Sequence, residues 1–203
     1  PIHRQPLALQ VASRIRDLIA TDQFPPGTPL KEVNLCKQLS VSRTPLREAL
    51  KQLIAEGLVE QIPYRGVVVC NPDQASIEQM LELLGALEGF AGEMACLRAT
   101  PEEIDAIRVL TQQMHETYEK DERLSYYKIN QSIHRSIVEF SKNGELIRSH
   151  ERLNSRLYRI RFLSNRRTDR WHTAIEEHDA ILRNLDQREG LKLNKLLREH
   201  LGH

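Results

Sequence analysis

No stretch of this chain reaches the ~18 consecutive apolar residues of a membrane-spanning helix, and no secretory signal is visible. A cytoplasmic protein with no membrane partner is therefore expected. Cysteine is scarce: Cys36, Cys70 and Cys96 include no C-x-x-C pair, which argues against a zinc ribbon. An odd count without a disulfide framework fits a reducing compartment. Cys36 falls with Leu35 and Leu39 on one side of a short helix and reads as a buried thiol. Aromatics are sparse at 5%, yet hydrophobic residues at 40% suffice for a core. No internal repeat or low-complexity tract stands out. The chain opens on Pro1 rather than methionine, so a few residues upstream are expected.

Charge of one sign is also lacking, since the net value is only +1 over 203 residues. That balance hides an asymmetry. Residues 1–70 carry nine Lys/Arg against six Asp/Glu, giving +3, and the remainder carries twenty against twenty-two, giving −2. A basic front end is compatible with nucleic acid, although +3 is small enough to be ordinary surface charge.

What is present is helical periodicity. Leu7, Val11, Ile15, Leu18 and Ile19 predict an amphipathic helix over 6–22, stopped by the stiff turn from Phe24 to Pro29. A short helix is expected over Leu30 to Leu39, then a tight connection Ser40-Val41-Ser42. A third helix is expected from Arg43 to Ala55, ending at Gly57. Ser42 is suited to N-cap that helix with its hydroxyl, and Pro45 falls in the first turn, where no N–H is needed. Leu46, Ala49, Leu50 and Leu53 mark its buried side. Arg43, Arg47 and Lys51 recur four apart as a cationic stripe. A helix N-terminus favours anions, and arginine forks onto phosphate or guanine. Leu58–Ile62 and Val67–Val69 flank Pro63-Tyr64-Arg65-Gly66 and predict a hairpin with glycine at its turn.

The predicted fold is mainly α: an N-terminal winged helix-turn-helix over 1–70, a linker over 71–75, and a C-terminal six-helix antiparallel bundle over 76–203. The bundle helices are expected near 76–98, 102–120, 123–141, 144–163, 171–188 and 190–201.

Gly27 to Glu32, Val41 to Leu50, Leu53 and Glu56-Gly57-Leu58-Val59 resemble the N-terminal domain of GntR-family bacterial transcription regulators. The helical remainder resembles the FCD ligand-binding domain of the FadR-like subfamily, and six helices rather than seven resemble its VanR-type branch. The resemblance implies a homodimer on palindromic operator DNA that responds to a small organic acid effector. It carries DNA contacts onto Ser42, Arg43, Thr44, Pro45 and Arg47, with Arg65 and Gly66 in the wing. Some relatives have an arginine on the preceding helix. Here that region reads Lys31-Glu32-Val33-Asn34, leaving Lys31 as the cation for phosphate.

Polar residues interrupt the apolar faces of the bundle. Asn130 and His134 lie one turn apart on the side marked by Tyr126, Ile133, Ile137 and Phe140. His178 lies in the stripe of Ala174, Ile181 and Leu185, and His200 continues that of Leu193, Leu196 and Leu197. Three helices thus aim an imidazole inward, and a shared metal would compensate their burial. Individual core histidines bonded to backbone are the plainer alternative. Spacing puts His150 on an apolar face too, beside Leu146, Leu153 and Leu157. The resemblance selects Asn130, His134, His178 (after Glu177) and His200, in that order, as metal ligands. The family's usual first residue is Asp; Asn130 removes one negative charge, predicting weaker metal binding or more dependence on an anionic effector. The expected cofactor is a divalent transition metal, zinc or nickel. Arg161, Arg166, Arg167 and Arg170 surround a connection, and Arg161 is the candidate for binding the effector.

The leading expectation is a metabolite-responsive DNA-binding regulator rather than an enzyme. The alternative is a metalloenzyme with an accessory nucleic-acid-binding domain. Against it, there is no H-E-x-x-H motif, and Glu177 should point away from the face of His178. A bundle that only dimerises the reading heads is a third reading.

Overall fold

The computed structural model describes residues 6–164 and 168–201. Its contacts divide it into two compact units. The first comprises the chain up to Gln74 together with Asn154–Arg161, and the second comprises Ala75–Leu153 with the chain from Phe162 onward.

In the first unit, α1 (Leu7–Ala20), α2 (Glu32–Leu39) and α3 (Arg43–Ala55) precede the strands β1 (Val59–Ile62) and β2 (Gly66–Val69). The periodic residues fill one core: Val11, Ile15 and Ile19 of α1 pack with Leu35, Leu46, Ala49, Leu50, Leu53, Leu58, Val59 and Val69. Leu7 is exposed, however, and Cys36 is only partly buried at the margin of that core. The second helix starts at Glu32 rather than Leu30, because the preceding segment is held by the sheet. Leu30 N–H donates to Val67 O at 2.8 Å, Val69 N–H to Thr28 O at 3.0 Å, and Pro29 bridges Val68. Such long-range pairing outweighs local helix propensity.

Ser42 occupies the N-cap of α3 with extended backbone (φ −74°, ψ 168°), but its hydroxyl makes no capping bond. This corrects the expectation, and Pro45 supplies a reason. A cap oxygen takes the N–H of the second or third helical residue, and Pro45, the third, has none. Helix α3 ends in a Schellman motif at Gly57 (φ +73°), with Leu58 N–H on Leu53 O at 3.1 Å and Gly57 N–H on Ile54 O at 3.0 Å. The hairpin pairs Val59 with Val69 and Ile62 with Gly66, antiparallel. At its tip Arg65 N–H donates to Ile62 O at 3.1 Å, and Tyr64 takes φ 61°. The positive φ expected of glycine alone is thus shared between Gly66 and a tyrosine.

The second unit contains α4 (Gln74–Arg98), α5 (Pro101–Glu119), α6 (Arg123–Phe140), α7 (Gly144–Ser164), α8 (Thr168–Asp186) and α9 (Gly190–Leu201), with α7 contributing its middle to the first unit. Helix α5 begins with a capping box: Thr100 Oγ1 accepts from Glu103 N–H at 3.2 Å, and Glu103 Oε2 from Thr100 N–H at 2.9 Å, with Pro101 in the first turn. Ile107, Met114, Tyr126, Ile133, Ile181, Leu193 and Leu197 lie in one core built from five of the helices. Against α4 the last helix comes close enough to require glycine. A Cβ on Gly92 would stand 2.5 Å from Leu197 Cδ1, and one on Gly89 would stand 2.9 Å from Asn194 O.

Candidate metal centre and nucleic-acid interface

That close approach seats α9 in the bundle and buries His200 one turn beyond Leu197. His134 of α6, His178 of α8 and His200 of α9 are all buried, and each offers a ligand atom within 4.8 Å of the others. Their ring centroids are 4.8–5.2 Å apart. Like rings can meet in a core, so the hydrogen bonds behind them decide what the meeting is for.

Two of the rings are hydrogen-bonded through Nδ1: His200 Nδ1 lies 2.5 Å from Glu177 Oε2, and His178 Nδ1 donates to Ala174 O, one turn back, at 2.7 Å. His134 Nδ1 stands against Glu88 Oε2 as an ion-pair contact at 2.6 Å. Carbonyls and carboxylates only accept, so the proton of a neutral His178 or His200 belongs on Nδ1, and the carboxylate beside His134 favours the same tautomer there. Nε2 is then the nitrogen carrying a lone pair, the arrangement usual for metal-bound imidazole. Asn130 sits beside them, its Nδ2 3.3 Å from His178 Nε2. Its Oδ1 is buried and takes no hydrogen bond among the described residues. Three imidazole donors and one orphaned amide oxygen fit a borderline-soft dication such as zinc or nickel.

The structure thus brings together all four residues selected for the metal. It also shows three that reasoning from the sequence left out. Glu88, 1% exposed, backs His134. Its other oxygen meets His150 Nε2 at 3.0 Å, so His150 stands behind the group rather than in it. Glu177 points away from His178, as expected, and meets His200 instead, because α9 approaches on that side. Successive residues on a helix diverge, which says nothing about a neighbouring helix. For Glu88 a signal existed: it is the single charged residue in the apolar, glycine-rich run from Leu83 to Gly92.

Arg161 is buried, donates to Asn154 Oδ1 at 2.5 Å, and groups with the first unit, whereas the histidines belong to the second. Arg166 and Arg167 lie outside the described residues, and Arg170 falls in the first turn of α8.

At the start of α3, Ser42, Arg43, Thr44 and Arg47 are exposed, Pro45 is half-buried, and Leu46 anchors the turn beneath them. Arg47 Nε donates to both oxygens of Glu32 on α2 at 3.1 Å, and Lys51 pairs with Glu48. Arg43 makes no ion pair among the described residues. Lys31, at the N-cap of α2, is exposed, and so is Arg65 in the wing, beside half-buried Gly66 and fully exposed Tyr64. Exposed pairs of this kind are weak and orient an arginine without withholding it from phosphate.

A three-helix core with a hairpin wing, followed by a helical bundle with a convergent polar centre, is the architecture of a DNA-binding regulator with a second, helical domain. Residues 7–69 match the bacterial regulatory proteins of the gntR family, and residues 79–203 match the FCD domain. The chain belongs to the GntR family, with an FCD domain as its C-terminal part, and is a transcription regulator rather than an enzyme. It is similar to the Nta operon transcriptional regulator of Aminobacter aminovorans, 33% identical over 78% of this chain and 72% of that one. It is also similar to the transcriptional repressor RspR of Escherichia coli, 23% identical over 97% of this chain and 86% of that one. The solved structure of E. coli McbR/YncC shares the fold, with TM-score 0.83 and 22% identity over 96% of this chain and 93% of that one. No helix among the described residues is long and apolar enough to cross a membrane.

Proposed function

We propose that this regulator represses transcription as a homodimer on a palindromic operator and senses a small carboxylate at a divalent zinc or nickel ion in its helical domain. The observation that carries the sensing half is the meeting of three buried imidazoles whose ligand atoms lie within 4.8 Å of one another, each with its Nδ1 against an acceptor oxygen that favours Nε2 as the donor. His134, His178, His200 and Asn130 Oδ1 would hold the metal. When bound, it would supply a positive charge, uncancelled by these four neutral donors, that draws an anionic effector.

The reading half rests on exposure at the start of α3. Arg43 and Arg47 project from the helix that enters a major groove, with Ser42 and Thr44 on the backbone and Pro45 fixing the turn. Because the Ser42 hydroxyl does not cap its own helix, it is suited to a phosphate. Lys31 adds a cation on α2, and Arg65 and Gly66 carry the wing to the adjacent groove. Dimerisation is supported by α4, where Leu83, Phe90 and Leu97 are exposed at seven-residue intervals, the spacing of a seam for a second helix. Repression is supported by the name of the relative RspR.

The test is a selection from random duplexes using protein purified without chelator, with elemental analysis of the same sample. About one zinc or nickel ion per chain is expected, with enrichment of a two-fold symmetric sequence that Arg43→Ala/Arg47→Ala no longer binds. Absence of uptake from added zinc and nickel would overturn the sensing half. Operator binding that survives the double substitution would overturn the assignment of α3.

A further inference from the structure

A carboxylate and an imidazole buried behind His134 remain outside the ligand set. Glu88 is 1% exposed, and so is His150. Burying a carboxylate among apolar side chains is unfavourable unless donors meet it. His150 Nε2 hydrogen-bonds one oxygen, Oε1, at 3.0 Å, and His134 Nδ1 stands against the other, Oε2, as an ion-pair contact at 2.6 Å. A neutral His150 that donates from Nε2 has a bare Nδ1, and that atom is buried with no hydrogen-bond partner among the described residues. A residue kept for packing alone would not carry that burden, since phenylalanine would fill the volume without a polar atom to desolvate. Pointing its N–H at Glu88 also turns the ring away from a metal.

We infer that Glu88 and His150 are positioning residues for the metal, His150 fixing the Glu88 carboxylate and Glu88 fixing His134 with Nε2 toward the site. This rests on the metal reading proposed above. It also answers the charge lost at Asn130. Glu88 behind His134 and Glu177 behind His200 place two carboxylates directly behind the donors.

The test measures zinc affinity by competition with a chelating dye, and the visible spectrum of the cobalt form, in the full chain. Partners of this kind are worth about 10–100-fold in metal affinity, so Glu88→Gln, nearly isosteric, is expected to weaken zinc by that factor and perturb the cobalt bands. His150→Phe should weaken it in the same direction. His150→Gln, whose amide still donates to Glu88, should recover most of the loss, a rescue that packing alone does not explain. Equal affinity in parent and Glu88→Gln would overturn this inference and leave the metal reading standing. A parent chain that takes up neither zinc nor cobalt would overturn both. Nitrogen NMR of the metal-free parent needs no variant: His134 protonated on Nδ1 and His150 on Nε2 is expected, and His150 protonated on Nδ1 instead would refute the relay.

Discussion

Three glycines on one face of α4 give opposite predictions for the same substitution. Gly→Ala inside a helix gains about 0.8–1 kcal/mol from propensity, so the sign depends on what the new methyl meets. At Gly85 the nearest atom is Arg198 O at 3.5 Å, an ordinary contact. At Gly92 the methyl would stand 2.5 Å from Leu197 Cδ1 and 2.9 Å from Leu193 Cγ. Both leucines have 0% exposure and no open space to rotate into. Overpacking of this kind costs about 1–3 kcal/mol, occasionally more, and a clash with a branch carbon next to the backbone belongs at the upper end. Gly92→Ala is therefore expected to destabilise by a net of about 1–2 kcal/mol, or about 2–8 °C of melting temperature in a chain of this size. Gly85→Ala should raise it by about 2–4 °C. Because α9 must retreat and carries His200, Gly92→Ala should also weaken zinc, and Gly85→Ala should not. Thermal melts followed by circular dichroism, with zinc titrations on the same samples, read both effects. A Gly92→Ala protein as stable as its parent would refute the idea that the glycine exists to admit α9.

Three further outcomes follow from individual side chains. Arg188 donates to Cys96 O at 3.1 Å and Ala99 O at 2.8 Å, capping the end of α4 from the α8–α9 connection; Arg188→Ala should cost about 1 kcal/mol in urea denaturation, given the exposure of the arginine. Burial, only partly offset by Arg188, pushes the Cys96 thiol up to about 11. At pH 8 its thiolate fraction falls from roughly one in ten to roughly one in a thousand, so alkylation should be slow in the native state and fast in urea. With the native value above the unfolded one, the linked stability is present below pH ~9 and lost as pH rises toward ~11, a loss that Cys96→Ala should abolish. Tyr64 holds φ 61° while fully exposed at the wing tip. Tyr64→Gly should stabilise the fold by about 0.5–1 kcal/mol and, if the tyrosine stacks on the operator, cost about 1 kcal/mol of duplex affinity; unchanged affinity would remove it from the interface.

Much of this molecule was legible because local rules and tertiary packing agree. Apart from Leu7, the apolar residues at helical spacing in α1, α3 and α6 are the ones buried, and Gly57 stops α3 as its conformational freedom suggests. The histidines were legible for the same reason, since an imidazole in line with Ile137, Ile181 or Leu197 has to face inward. Failures occur where a distant segment decides. Leu30 is extended because β2 takes its N–H. Ser42 makes no capping bond, and Pro45 removes one of the two N–H groups that could have donated to it. Helix α4 is apolar nearly all round, so its periodicity indicates no inward face, and Glu88 could not be assigned until two imidazoles were seen to meet it.

The same difference of scale explains why Asn130 looked like a defect. Judged on its own helix, an amide in place of a carboxylate lowers the attraction of the site for a dication. Judged with α4 and α8 in place, the charge has been moved behind the imidazoles rather than lost, onto Glu88 and Glu177. A neutral donor set backed by two carboxylates suits sensing of an anion. In the proposed site no carboxylate among the four donors would repel an incoming anion, while those behind the rings would help to hold the metal. Asn130→Asp should accordingly tighten zinc and weaken the response to carboxylate effectors together. Calorimetry on both ligands would measure the pair, and a gain in both affinities would contradict this division of charge.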